Sequence, residues 1–325
     1  MSDSAALMFG ENSLQRHAKP PLVCVMLSTF NGARYVRDLL DSLLRQKLCI
    51  LRILIRDDGS TDLTLSILDS YARNHKNIDL LVGNNIGVNT SFFELLRLAP
   101  DEAEFFAFCD QDDVWDADKV VRAVRMLPDA GKLLPGMYCS RVRIVDESLQ
   151  LCSFSPLASR GPSFENALVE NIAPGCTILL NKPARRLLIS RLPNVENIVS
   201  YDWWTYLVLA ALGHVIYDGQ ATLEYRQHAT NVFGASTGIE RWWRRLVRFK
   251  ESAYHLRVFD QAKELLLVFG DSLPAYRRAV LEDFLTAIKS PGVLQRVRYA
   301  AGSGVYRQSV IDNILFKVLV CMGKA

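Results

Sequence analysis

The sequence has no long hydrophobic run. No uninterrupted apolar stretch approaches the ~18 residues a membrane span needs. The densest, residues 206–212 and 314–322, are short, and the second carries Lys317. No membrane-spanning helix is therefore expected. Residues 1–21 lack the basic-then-apolar order of a secretory signal and are expected to be a polar leader. There is no C-x-x-C pair among the seven cysteines (24, 49, 109, 139, 152, 176 and 321). Their odd number and wide scatter exclude a disulfide or zinc framework, and most are expected to be small buried hydrophobes in a reducing compartment. Two phosphate cradles are also missing. No G-x-x-x-x-G-K-[ST] occurs, and no G-x-G-x-x-G follows the first apolar run; Gly302-Ser303-Gly304 lies far away without a third glycine. Any diphosphate would then be left to a cation. Repeats and low-complexity stretches are absent too.

What is present is a chain of 325 residues, 50% hydrophobic and 22% charged, enough to bury a sizeable core. Its net charge of +3 hides an asymmetry: residues 241–325 hold 15 Lys or Arg against 7 Asp or Glu, so they carry +8 and the rest −5. An acidic body with a basic tail implies two jobs.

Residues 22–29 form a continuous β-branched apolar run, closed by Phe30-Asn31-Gly32. Val36, Leu39, Leu40, Leu43 and Leu44 then recur at helical spacing. A second apolar run, 50–55, stops at Asp57-Asp58-Gly59-Ser60. Behind it comes a helix with Leu63, Ile67, Leu68 and Tyr71 on one face and Ser60 or Thr61 available as N-cap. Further strands are expected at 78–82, 105–109, 137–145, 176–180, 215–217 and 223–226, and a buried helix at 203–212. Beyond about 240 helices are expected, broken at Pro274, Pro291-Gly292 and Gly302-Ser303-Gly304. Strands alternating with helices indicate βαβ units and a buried parallel sheet.

Ligands of such sheets bind outside the carboxyl ends of the strands. The polar clusters fall there: Ser28-Thr29-Phe30-Asn31-Gly32, Asp57 to Asp62, Gly83-Asn84-Asn85-Ile86-Gly87, and Cys109-Asp110-Gln111-Asp112-Asp113-Val114-Trp115. Asp110, Asp112 and Asp113 repel one another unless a cation or good donors neutralise them. Carboxylates suit Mg²⁺ or Mn²⁺, which commonly bridge to a substrate's phosphates. The bland alternative is a set of solvated turn residues at a helix start. Asp57-Asp58-Gly59-Ser60 is, by itself, ordinary turn chemistry.

Taken together, STFNG at 28–32, DDGSTD at 57–62, NNIG at 84–87, CDQDDVW at 109–115, PGCT at 174–177, YDWW at 201–204 and YRQHATN at 225–231 resemble the family-2 glycosyltransferases of GT-A fold, in particular their bacterial rhamnosyltransferase-like group. The resemblance spans about 22–233. It implies an α/β Rossmann-like mixed sheet flanked by helices, with 22–115 as the nucleotide-binding half and 116–238 as the acceptor half. A C-terminal helical extension would cover 239–325. It implies that Thr29, Asn31, Asp57 and Asp58, with Asn85, Gly87, Asp110, Asp112 and Asp113, bind the nucleotide sugar. Asp112, with His228 nearby, would hold a divalent cation. Gly175, Cys176, Thr177, Trp203 and Trp204 would lie on the acceptor side, and Asp202 would be the catalytic base of an inverting transfer. Four of these residues also have structural readings: Asp202 as a helix N-cap, His228 as a satisfied loop histidine, and the two tryptophans as core. Where this group often carries His or Glu, residue 201 is Tyr.

The activity so implied moves a sugar, with L-rhamnose from dTDP-L-rhamnose the best choice, to a hydroxyl of a growing, lipid-linked bacterial surface polysaccharide. A family transferase using a UDP-hexose, a catalytically silent glycan- or nucleotide-binding assembly subunit, and a nucleotidyltransferase are the rivals. In the tail, Arg241, Arg244, Arg245 and Arg248 share one helical face, with Trp242, Leu246, Phe249 and Ala253 on another. A helix over 241–253 lying on the inner face of the cytoplasmic membrane is expected, with an ordinary packed amphipathic helix as the alternative. Nucleic acid is not an expected partner, because the larger body is acidic.

Overall fold

The computed structural model describes residues 20–127, 134–228 and 252–323. The basic face expected over 241–253 lies outside them, apart from the helix beginning at Ser252.

Strand β1 (Leu22–Thr29) is apolar from Leu22 to Leu27 because both its faces are covered. Cys24 and Met26 join one core, while Val23, Val25 and Leu27 join the other. It lies between β2 (Ile50–Asp57) and β4 (Phe105–Cys109), parallel to both, and β3 (Ile78–Val82) extends β2 in parallel. Beyond β4 the sheet continues through β9 (Leu179–Asn181), β6 (Gly136–Ser140) and β10 (His214–Asp218). β9 alone runs antiparallel to its neighbours β4 and β6. The connections are α1 (Val36–Leu44), α2 (Thr64–Asn74) and α3 (Val88–Leu98). The strand order therefore reverses at β1, the switch point where open α/β sheets bind ligands.

A second sheet sits beside this edge, in the order β5 (Val114–Trp115), β11 (Leu223–Arg226), β7 (Arg143–Val145), β8 (Leu151–Phe154). The expected strand over 137–145 is thus two strands in two sheets. The expected strand at 176–180 starts late: Thr177 donates from its backbone N–H and its Oγ1 to the Pro174 carbonyl, winding Gly175–Thr177 into a 3₁₀ turn before β9. Helices α4 (Lys119–Met126), α5 (Phe164–Ala167), α6 (Lys182–Ser190) and α7 (Tyr201–Leu212) complete this part.

Four helices follow: α8 (Ser252–Phe269), α9 (Ala275–Lys289), α10 (Val293–Gly302) and α11 (Val310–Met322), broken at the expected Pro and Gly positions. Leu265, Phe269, Leu281 and Phe284 are buried in the same core as Trp204, so α8 and α9 pack directly on the sheet-bearing part. No described helix is long and apolar enough to cross a membrane. Cys24, Cys109, Cys139 and Cys176 are buried free thiols as expected, whereas Cys152 is exposed on β8.

Candidate active site

The ends of β1 and β2 are bound to each other by side chains. Thr29 and Asp57 are in register, and Thr29 Oγ1 donates to Asp57 Oδ2 at 2.9 Å. Asp57 also accepts from the Ser60 backbone N–H at 2.8 Å and from Ser60 Oγ at 2.6 Å. Asn31 accepts from the Thr61 N–H at 2.8 Å, and its own N–H donates to Ser60 Oγ at 2.9 Å. Ser60 and Thr61 are therefore not the cap of α2. The N-cap position is Leu63, which has no side-chain cap bond, and Asp62 just before it accepts from the Thr64 N–H. Gly59, at φ +81°, supplies the left-handed turn between Asp58 and Ser60.

Asp58 organises the neighbouring loop. It pairs with Arg56 and accepts from the N–H groups of Ile86 and Gly87 at 3.1 and 3.0 Å. Asn85 Oδ1 accepts from the same Gly87 N–H at 3.1 Å, and both residues stay exposed. Buried Asp57 and Asp58 thus shape the rim, and Asn31, Asn85 and Gly87 present it.

The cluster after β4 is differently furnished. Asp113 is buried, and among the described residues neither of its carboxylate oxygens has a hydrogen-bond partner. Burial pushes its pKa well above the usual carboxylate range, and Asp112 and Asp110 push it further. Burial also raises Asp110, to about 7, with Asp112 and Asp202 adding repulsion and the Tyr201 hydroxyl opposing it. That hydroxyl donates to Asp110 Oδ1 at 3.1 Å. Asp112 Oδ2 meets His228 Nε2 at 2.8 Å, and the His228 ring stacks on Tyr35 with centroids 4.8 Å apart. Behind the acids, Lys119 is buried with Nζ 3.7 Å from the Trp115 ring centroid, and burial lowers its pKa to about 8.

Asp202 enters from the first turn of α7. Its carboxylate accepts from the Gly175 N–H at 3.1 Å, the Trp203 N–H at 2.7 Å and the Ser200 hydroxyl. Burial raises its pKa against the pull of these bonds. The N-cap position belongs to Ser200, and Asp202 lies two residues inside it, within the first turn. Gly175 is required by closeness: a Cβ there would lie 2.0 Å from the Tyr201 hydroxyl. Tyr201 is itself held by stacking on Phe92, centroids 3.9 Å apart, and by its N–H to Asn89 Oδ1.

Not every expected residue reaches the cleft. Trp203 is buried, donating from Nε1 to the Ala167 carbonyl, and Trp204 is fully buried near Phe269. These rings are core and offer no face to a sugar. Cys176 and Thr177 are buried as well, with Cys176 Sγ turned toward Asp110 and Asp113. Three organisers were not singled out from sequence. Gln111 clamps both the N–H and the carbonyl of Phe30. Arg226 donates to the Asp112 carbonyl and to Asp38. Tyr201, the third, was noted only as a departure. An amide or a guanidinium inside a motif has no periodicity to betray its partner.

The acids fit a hard divalent cation. Asp110, Asp113 and Cys176 each place one ligand atom within 4.8 Å of the others, and Asp112 faces His228 beside them. The Cys176 thiol, raised by burial and by Asp113, stays protonated and suits such an ion poorly.

A mixed sheet reversing at β1, with carboxylates gathered at that point, defines a nucleotide-sugar glycosyltransferase of GT-A fold. The sequence model of Glycosyl transferase family 2 matches residues 24–187, and the chain belongs to that family. It is 25% identical over 254 residues to the dTDP-rhamnosyl transferase RfbG of Shigella flexneri, covering 74% of this chain and 84% of RfbG. It is also 25% identical over 213 residues to the putative teichuronic acid biosynthesis glycosyltransferase TuaG of Bacillus subtilis, covering 63% of this chain and 79% of TuaG. Among solved structures, S. aureus TarS with UDP superposes at a TM-score of 0.55 and 14% identity, over 93% of this chain and 80% of that one. The mannosyltransferase PcManGT of Pyrobaculum calidifontis, with GDP-Man and Mn²⁺, gives 0.53 and 15%, over 97% and 86%. These two share the fold.

Proposed function

We propose that this glycosyltransferase transfers L-rhamnose from dTDP-L-rhamnose, with inversion, to a hydroxyl of a growing lipid-linked bacterial surface polysaccharide. It works at the inner face of the cytoplasmic membrane. The observation that carries the reaction type is the placement of Asp202 beside the acid cluster: the adjacent Tyr201 donates to Asp110 Oδ1 at 3.1 Å, and Asp202 accepts from Gly175, the neighbour of Cys176. Similarity to RfbG over most of both chains supports the choice of donor.

Thr29, Asn31 and Asp57 form the firm edge that receives the base and ribose, with Asp58 holding the Asn85–Gly87 rim against it. Asp110 contacts the ribose. Asp112, with His228, holds the cation, and Asp113 lies in the same acidic turn. Bound Mg²⁺ or Mn²⁺ supplies Lewis-acid neutralisation of the departing nucleoside diphosphate. Asp202 takes the proton from the acceptor hydroxyl as that oxygen attacks C1 opposite the diphosphate. Its pKa, raised by burial, makes it a stronger base than an exposed carboxylate. Gly175 fixes one carboxylate oxygen of Asp202 through its N–H, and Ser200 and Trp203 fix the other.

Transfer and calorimetry with the dTDP, UDP and GDP forms of several sugars test this reading. Asp202→Asn is expected to lose turnover by about 10²–10⁴-fold while nucleotide binding persists. Full activity of that variant would remove Asp202 from the chemistry. Preference for a UDP-hexose would overturn the donor, and tight nucleotide binding without turnover of any sugar would favour a silent assembly subunit.

A further inference from the structure

Helix α11 is apolar almost all the way round, yet among the described residues only one side of it is covered. Phe316 and Val320 face the core, and Asp312, its one acid, is 2% exposed beside them. On the opposite side Val310, Ile311, Ile314, Val318 and Met322 are between 48% and 74% exposed. At 100° per residue these five fall on one outward stripe centred opposite Phe316. Its neighbour α10 adds Leu294 and Val297, also exposed. An aliphatic surface of this kind marks a binding face. A helix apolar on all sides belongs in a larger core or against lipid.

Charge selects the occupant. Residues 289–323 contain five Lys or Arg and one acid, the buried Asp312. Arg298 is exposed on α10, and Lys317 flanks the α11 stripe. A second copy of the chain, docked through a two-fold axis, would set these cations against their own counterparts. Segment 241–250 brings five further cations and no acid, so it repels the same face. An anionic surface satisfies both the aliphatic stripe and the cations. At 13 residues α11 is about 20 Å long, too short to cross a bilayer and long enough to lie in its interface.

We infer that the outward face of the α10–α11 hairpin docks on an anionic lipid surface, with Ile311, Ile314 and Val318 entering the headgroup boundary and Arg298 and Lys317 pairing with lipid phosphates. This surface is distinct from residues 241–253, and it does not rest on the choice of donor sugar.

Co-sedimentation of the full chain with phosphatidylcholine vesicles, with and without a quarter of phosphatidylglycerol, tests it. The parent is expected to bind the anionic vesicles at least about tenfold more tightly than the neutral ones. The triple variant Ile311→Ser, Ile314→Ser, Val318→Ser is expected to lose at least about tenfold in binding, at an unchanged Tm, because the altered side chains are exposed. Should the triple variant lower the Tm, the double variant Arg298→Gln, Lys317→Gln carries the test, with a loss of about tenfold on anionic vesicles alone. Absence of parental binding would overturn the inference, as would triple and double variants that bind like the parent. So would binding abolished by Arg241→Gln, Arg244→Gln, Arg245→Gln and Arg248→Gln together while the triple variant still pellets. A triple variant that turns a dimer monomeric without changing vesicle binding would assign the face to a second copy. Donor hydrolysis in vesicle-free solution is read alongside. Vesicle binding without turnover counts against the proposed reaction alone, and turnover without vesicle binding counts against membrane docking while leaving the proposed reaction standing.

Discussion

The two sides of the cleft are built on opposite principles. At the β1–β2 edge, Thr29, Asn31, Asp57, Ser60 and Thr61 satisfy one another within the protein. After β4, Asp113 has no hydrogen-bond partner among the described residues, Asp110 is raised to about 7, and burial also raises Asp202. One edge is finished without a ligand, and the other leaves its charges unbalanced. A rigid, satisfied edge suits recognition of a nucleotide, since little is left to order on binding. Crowded carboxylates carry a folding cost and are found where a cation and chemistry are handled.

The comparison breaks first at Asp57. Asp57→Ala removes the acceptor of Thr29 Oγ1 and of the Ser60 N–H and hydroxyl, in a buried setting. A loss of about 3 kcal/mol in unfolding free energy is expected, read by denaturant titration. Asp113→Asn is expected to do the reverse. It removes a carboxyl that burial resists charging, so stability at pH 9 is expected to rise by about 1 kcal/mol, while cation binding weakens. If both substitutions destabilise alike, the two sides of the cleft do not differ as described.

The acid side also sets a pH dependence. Asp110 rises from an ordinary value of 3.8 to about 7 on folding. Between those values the folded chain keeps the proton that the unfolded chain releases, so stability contributed by this group falls as pH rises through 7. Relative to Asp110→Asn, the metal-free parent is expected to lose about 3 °C in Tm between pH 5 and 8. Mn²⁺ or Mg²⁺ binds the charged form and is expected to restore it, more at pH 8 than at pH 5. Parallel Tm curves for parent and variant, with and without cation, would sink the assignment.

Legibility in the sequence followed the same division. β1 and β4 stand where their apolar runs do, because burial on both faces leaves a continuous signal, and the half-buried β3 and β11 also keep their expected bounds. β5 and β8 were not legible. Two residues, Val114 and Trp115, carry no period, and β8 (LCSF) is mostly exposed. The motif residues were found by their order along the chain, but order does not show direction. Trp203 and Trp204 stand beside Asp202 in sequence, yet helical geometry turns them about 100° and 200° away, into the core. The link from Tyr201 to Asp110 spans 91 positions, and only the fold brings the two together.

That link gives the smallest expected effect and the sharpest probe of the difference. Tyr201→Phe keeps the ring on Phe92 and deletes only the hydroxyl that donates to Asp110. Because the donated bond favours the charged carboxylate, its loss raises the Asp110 pKa further. In the metal-free chain the stability change is expected to stay near 1 kcal/mol, since no donor is left orphaned. Nucleotide binding with cation, followed against pH by calorimetry, is expected to reach half its maximum about half a unit higher than in the parent. A purely structural tyrosine would lower affinity equally at every pH. A displaced midpoint therefore separates a hydroxyl that tunes the acid cluster from a ring that fills space beside it.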